Sequence, residues 1–239
     1  MWLLTLGPLL WLQGRYVRCV TPQLPEPPGP RQGATGDGPP MRLLVVGDSA
    51  AAGVGAGSQD RALCGQLINR LCRHRTIEWR VLAINGLDTP GLIRLLESHP
   101  LQKYDVVILS IGVNDVTGLC PPDKWIRLQE KLASLIEVHF SPGLLIHSAL
   151  PPMHRFTALP HPLRWLMGRW AMEMNRQLAA SLPPEQTRRI IYWPFGRDGA
   201  ESDGLASDGF HPGPGGYAVW AEGLSRLILT MQGQVSASR

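Results

Sequence analysis

Ser49 closes the apolar run "MRLLVVGD" and is followed by three alanines and a glycine. A serine hydroxyl is a weak nucleophile until a neighbouring base takes its proton, so the chain must also supply that base. His211 lies three residues after Asp208 in "SDGFHPGPGG". At that spacing the carboxylate accepts from the imidazole Nδ1 while Nε2 faces the serine. Two further stretches carry hydrogen-bond donors. Gly86 in "AINGLDTPG" offers a backbone N–H with no side chain in the way, and Asn114 in "GVND" offers an amide N–H. Nucleophile, base, orienting carboxylate and oxyanion donors are the set that ester cleavage needs. Asp48 reads as a brace for the turn or a cap for the helix after it, and Asp115 as structural.

These residues need a scaffold that brings four distant stretches together. Strand-like apolar runs occur at 42–46, 77–84, 105–111, 143–149 and 189–194. Helical periodicity separates them. Leu63, Leu67, Ile68 and Leu71 share one face, as do Trp125, Leu128, Leu132, Leu135 and Ile136, and a last helix carries Tyr217, Trp220, Leu224, Leu227 and Ile228. Five strands alternating with helices predict a parallel sheet covered on both faces. Each chemical stretch then follows a strand, at the edge where open α/β sheets bind ligands.

The chain has 239 residues, 44% hydrophobic and 18% charged, which fits one large α/β domain with extras. A net charge of +4 is too mild and dispersed to argue for nucleic acid. Cys19, Cys64, Cys72 and Cys120 lack metal-like spacing, and free, mostly buried thiols are expected, so nothing demands an oxidising compartment. A cytoplasmic location follows as the expectation. His147, His154 and His161 recur every seven residues but fall on a strand, a loop and a helix start, which gives a metal no common geometry. The glycines of "AAGVGAGS" lack the Lys-Ser/Thr ending of a phosphate loop.

Residues 1–20 are apolar up to Leu12, contain Gly7 and Pro8, and end near Arg15 and Arg18. The segment falls short of the roughly 20 apolar residues of a spanning helix and has no basic leader or small-residue cleavage site. Two readings stand equal: a segment in peripheral contact with a membrane, or a helix or arm packed on the domain. Residues 21–40 are rich in Pro and Gly and read as a linker or arm, 41–232 as the domain and 233–239 as a tail.

The four stretches "GDSAAAG", "NG", "GVND" and "SDGFHP", in this order, resemble the SGNH hydrolases, or GDSL lipase/esterase family, of bacterial esterase type. The resemblance spans roughly residues 43–229. It implies a flavodoxin-like three-layer α/β/α sandwich with a five-stranded parallel sheet. It also implies Ser49 as nucleophile, His211 as base and Asp208 as its orienter, with an oxyanion hole from the Ser49 and Gly86 N–H groups and the Asn114 side chain. No cofactor or metal is implied. Ala50 stands where the family's motif has Leu, and Gly91 is the poorer alternative to Gly86 because it lies inside the next helical stretch.

Ala50, Leu87, Val116, Thr117, Phe156 and Phe210 are the expected pocket wall, with the Pro-rich 150–162 segment as a partial lid. That apolar wall favours simple carboxylic esters of short or medium chain. Lysophospholipid or thioester cleavage, or carbohydrate deacetylation, are the alternatives within hydrolysis. A flavodoxin-like binding module is the alternative outside it. No specific protein partner is expected.

Overall fold

Alternate residues of the central strands point to opposite faces, and both faces are apolar, so each needs a helical cover. The computed structural model describes residues 2–182, 187–192 and 204–237. Its strands are β1 (Gln32–Thr35), β2 (Pro40–Gly47), β3 (Thr76–Ala83), β4 (Val106–Ser110), β5 (Leu144–Ser148) and β6 (Arg188–Ile191). Their spatial order is β1-β3-β2-β4-β5-β6, with β1 antiparallel and every other pairing parallel.

The helices are α1 (Trp2–Val20), α2 (Ser49–Ala52), α3 (Leu63–Leu71), α4 (Thr89–Glu97), α5 (Val113–Thr117), α6 (Pro122–Phe140), α7 (Leu163–Ser181) and α8 (Pro214–Ala237). Leu43, Val45, Val106 and Ile108 bury one sheet face under α3 and α8, through Leu67, Leu71, Trp220 and Leu224. Leu44, Val46, Val107 and Leu109 bury the other under α4 and α6, through Leu92, Leu96, Leu132 and Ile136. The result is the three-layer α/β sandwich. A third apolar cluster joins α7 to the 150–162 segment.

The sheet has six strands where five were expected. Within the 21–40 stretch, Gln32–Thr35 pairs along β3 on the outer edge, with Gly33 opposite Trp79. A Cβ on Gly33 would sit 2.5 Å from the Trp79 ring, so only glycine lets the indole lie across this strand. The rest of that stretch is an arm tied to the domain. Arg31 donates to the Ala83 carbonyl and pairs with Glu26, and the buried Gln59 amide donates to the Pro27 and Ala52 carbonyls.

The run read as a strand over 189–194 is a strand at Arg188–Ile191, and residues 193–194 lie outside the described residues. The last helix continues through Ala237, so the expected tail begins as helix. All four cysteines are free, but only Cys64 is buried; Cys19 is exposed and the other two are half-buried, a correction to the expectation of mostly buried thiols.

Chain order sets the site. From central β2 the chain crosses to β3 on one side, then returns past β2 to β4 on the other. The loops after β2 and β4 therefore diverge and leave a crevice at their carboxyl ends, the switch point where α/β sheets bind ligands.

Candidate active site

The turn after β2 is tight because Gly47 adopts φ +155° and lies opposite Ser110 of β4. A Cβ there would come 1.8 Å from the Ser110 carbonyl oxygen. The next N–H, of Asp48, donates to that same carbonyl at 3.0 Å. Asp48 then caps α2, its side chain accepting from the Ala50 N–H at 3.1 Å. Ser49 is thereby set on the first residue of α2, facing the crevice, 8% exposed.

The stretch that carries His211 is shaped by its own turn. Leu205 bridges Pro212, the Ala206 N–H donates to the His211 carbonyl, and Gly209 turns the chain at φ +64°. Asp208 Oδ1 accepts the backbone N–H groups of Phe210 and His211, both at 3.0 Å. Its other oxygen, Oδ2, lies 2.5 Å from His211 Nδ1, and His211 Nε2 lies 2.9 Å from Ser49 Oγ. Three side chains separated by up to 162 positions thus form one hydrogen-bonded line. Tyr217 of α8 fastens the two halves by donating to the Val54 carbonyl at 2.6 Å.

Electrostatics follow the burial. Burial pushes the Asp208 carboxyl upward, but the hydrogen bonds from His211 and Phe210 and the His211 charge outweigh it and hold the group below the usual carboxylate value. Asp208 is therefore an anion at neutral pH. Asp48 has no such set of partners. Burial raises it to about 7, against the Ala50 N–H and the His211 charge, which pull it down.

Asn114 is tied to the loop that carries Gly86, but neither residue lines the Ser49 cleft, and Asn114 borders a separate hollow with Asp88, Pro90 and Asp115. The Asn114 Nδ2 donates to the Leu87 carbonyl at 2.7 Å, one residue past Gly86, which turns at φ +82° with open space around its α-carbon. Asp115, on α5, accepts from the Thr89 N–H at 3.0 Å and the Thr89 hydroxyl at 2.9 Å, so it locks α5 to the start of α4. Glu26 accepts the Asn85 N–H at 2.7 Å and steadies the same loop from the arm. Gly91 lies within α4, which starts at Thr89.

The cleft beside Ser49 encloses about 460 Å³, including its open mouth. Ala50, Phe156, Phe210 and His211 line it, with Ile111, Val113, Leu150 and Pro151. Phe156 and Phe210 pack with their rings tilted by 60° and their centroids 4.8 Å apart. Three expected wall residues lie elsewhere. Val116 is wholly buried under α7, Thr117 turns its hydroxyl back to the Asn114 carbonyl, and Leu87 packs on the α4 and α6 side. The phase of α5, capped at Gly112, sends Val113, rather than Val116, to the cleft. Ser110 and Ser148, at the ends of β4 and β5, also line it. Both were findable as polar residues closing apolar strands.

Among the described residues no group of three or more potential ligands is placed to hold a metal. His147 is enclosed in β5 with neither ring nitrogen hydrogen-bonded, and burial lowers it to about 4, so it is neutral.

The fold is a three-layer α/β sandwich with its crevice at the switch point of the strand order. The GDSL-like Lipase/Acylhydrolase family matches residues 45–219, and the chain belongs to that family. No curated protein matches it by sequence. Solved structures share the fold at low identity. The lipase Lip_vut3 from a goat rumen metagenome is 18% identical over 78% of this chain and 96% of its own, with a TM-score of 0.57. A member of the lipolytic G-D-S-L family from Veillonella parvula is 14% identical over 78% and 97%, at 0.60. A family two carbohydrate esterase from Clostridium thermocellum, solved with cellohexaose, is 16% identical over 81% and 65%, at 0.59.

Proposed function

We propose that the protein is a serine esterase that hydrolyses short- to medium-chain carboxylic esters through an acyl-enzyme. The observation that carries this reading is the line Ser49–His211–Asp208, with both hydrogen bonds formed. Ser49 Oγ attacks the ester carbonyl carbon as its proton passes to His211 Nε2, and anionic Asp208 stabilises the imidazolium. The proton moves on to the departing alkoxide, which leaves as the alcohol. Water then attacks the acyl carbon as His211 takes its proton, the bond from that carbon to Ser49 Oγ breaks, His211 returns the proton to Oγ, and the carboxylic acid is released.

Negative charge on the carbonyl oxygen calls for preorganised donors. The Ser49 N–H, first in α2, has no acceptor within the helix, the Gly86 N–H sits on an open turn, and Asn114 Nδ2 keeps its second hydrogen after serving Leu87. The apolar wall of Ile111, Val113, Leu150, Phe156 and Phe210 suits an alkyl or aryl acyl group.

The test is labelling with a fluorophosphonate, together with turnover of p-nitrophenyl esters from acetyl to lauroyl. Wild type labels and turns over the shorter esters best, and Ser49→Ala loses both while keeping its thermal transition. A folded wild type that neither labels nor turns over any ester overturns the reading in favour of a binding module.

A further inference from the structure

The helix α1 is held to the domain along one side only. Leu10 and Val17 pack on the cluster that contains Phe156, Leu159, Leu163 and Met167. Between them Gln13 donates to the His161 carbonyl at 2.6 Å and accepts the Leu163 N–H at 3.1 Å. That last contact satisfies one of the N–H groups left without an acceptor at the start of α7. Positions 10, 13 and 17 therefore fix which face of α1 looks inward.

The flank of α1 about a quarter-turn round from that face is apolar and uncovered, and Arg15 and Arg18 lie beyond it on the far side. Leu9, Leu12, Tyr16 and Val20, spaced three, four and four apart, are 44%, 58%, 61% and 53% exposed. Trp11 is 63% exposed and lies under the Arg15 guanidinium, 5.3 Å from its ring centroid. Such a stripe in water costs free energy that a soluble helix ordinarily avoids by placing polar residues there.

The charge around the stripe has one sign. Arg15 and Arg18 are exposed on α1, and Arg169 is exposed on the α7 helix that α1 rests on, beside Trp165 at 55%. No acidic residue occurs before Glu26, and none in α7 before Glu173. Apolar and aromatic residues with arginine and no carboxylate are the composition of a helix lying in the plane of an anionic bilayer surface. No helix among the described residues is long and apolar enough to cross a membrane.

We infer that the outer face of α1 docks the protein on an anionic lipid surface, lying flat in the interface with Leu9, Leu12, Tyr16 and Val20 toward the acyl chains and the arginines among the headgroups. The inner face of α1 rests on the same cluster that includes Leu150, Phe156 and Phe210 of the cleft wall. Docking thus places that wall close to the lipid. The inference stands on α1 alone and does not require Ser49 to be a nucleophile.

Flotation of the purified full chain with vesicles tests it, using phosphatidylcholine alone and phosphatidylcholine mixed with phosphatidylglycerol. Wild type floats with the mixed vesicles and much less with the neutral ones. Leu12→Glu/Tyr16→Glu loses binding to both, and circular dichroism shows its fold unchanged because both side chains are more than half exposed. Arg15→Glu/Arg18→Glu lowers binding to the mixed vesicles by roughly 25-fold or more, since each arginine near such a surface is worth about fivefold. Wild type that stays in solution with both vesicles overturns the inference, as does equal binding to both. A dimer in sedimentation velocity that Leu12→Glu/Tyr16→Glu dissociates assigns the face to a second copy and overturns it as well.

Discussion

Asp48 lies next to Ser49, is 2% exposed, and has its carboxyl raised from 3.8 to about 7, chiefly by burial. Below about pH 4 it is protonated in folded and unfolded chains alike and has no effect on the balance. Between about 4 and 7 the unfolded chain releases the proton while the folded chain holds it, so stability falls as pH rises. Above about 7 the loss is complete. A rise of roughly three pH units, at about 1.4 kcal/mol each, places its ceiling at about 4 kcal/mol. Asp48→Asn keeps the Oδ1 acceptor for the Ala50 N–H and removes the charge. Any fixed change in hydrogen bonding moves the whole stability curve of the variant and leaves its slope alone, so the slope isolates the ionisation. Urea unfolding of both proteins between pH 5 and 8.5 is the assay. The stability of Asp48→Asn relative to wild type should climb with pH and level off above about 7. Parallel curves, or a climb in the wild type's favour, would refute a buried carboxyl that titrates near neutrality.

Asp208→Asn retains the acceptor for the Phe210 and His211 N–H groups but presents a donor to Nδ1. It should lower kcat roughly a thousandfold or more with little change in KM, and a loss under tenfold would remove Asp208 from the mechanism. Gly47→Ala puts a Cβ against the Ser110 carbonyl at 1.8 Å and at a φ that strains any side chain; a loss of about 3 kcal/mol or more in chemical unfolding is expected, and an unchanged midpoint would contradict the register of β2 on β4. Asn114→Ala should cost about a hundredfold in kcat on p-nitrophenyl esters, with the thermal transition little moved. An equal fall in stability and activity would make Asn114 a brace for the Leu87 turn only.

What the sequence reveals and what it withholds divides along physical lines. Strands β2, β4 and β5 are visible because burial on both faces demands unbroken apolar runs, β3 because Ile77, Val81 and Ala83 bury one side of an otherwise more exposed strand, and α3, α6 and α8 because one-sided burial imposes a 3.6-residue period. β1 has no such signature. "QGAT" is four residues with no apolar alternation, and it becomes a strand because β3 offers an unpaired edge and Trp79 needs a glycine across from it. The same distinction governs the site. Asp208 and His211 are three residues apart, so their geometry is local and readable, whereas the Ser49–His211 contact depends on a switch point that only alternating strand order suggests. The wall residues fail for a sharper reason. In "GVNDVT", Val113 and Val116 differ only by the phase of a five-residue helix, and that phase is set by Gly112 at φ +128°, where a Cβ would strike Trp125 and Leu150. Periodicity has no purchase on one turn. Glu26, which holds the Asn85 N–H from 59 positions away, is beyond any local pattern, yet it steadies the loop whose Gly86 is proposed to meet the oxyanion. Charge removal at Glu26 would therefore act on turnover through that loop rather than on the Ser49–His211–Asp208 line, which closes without it.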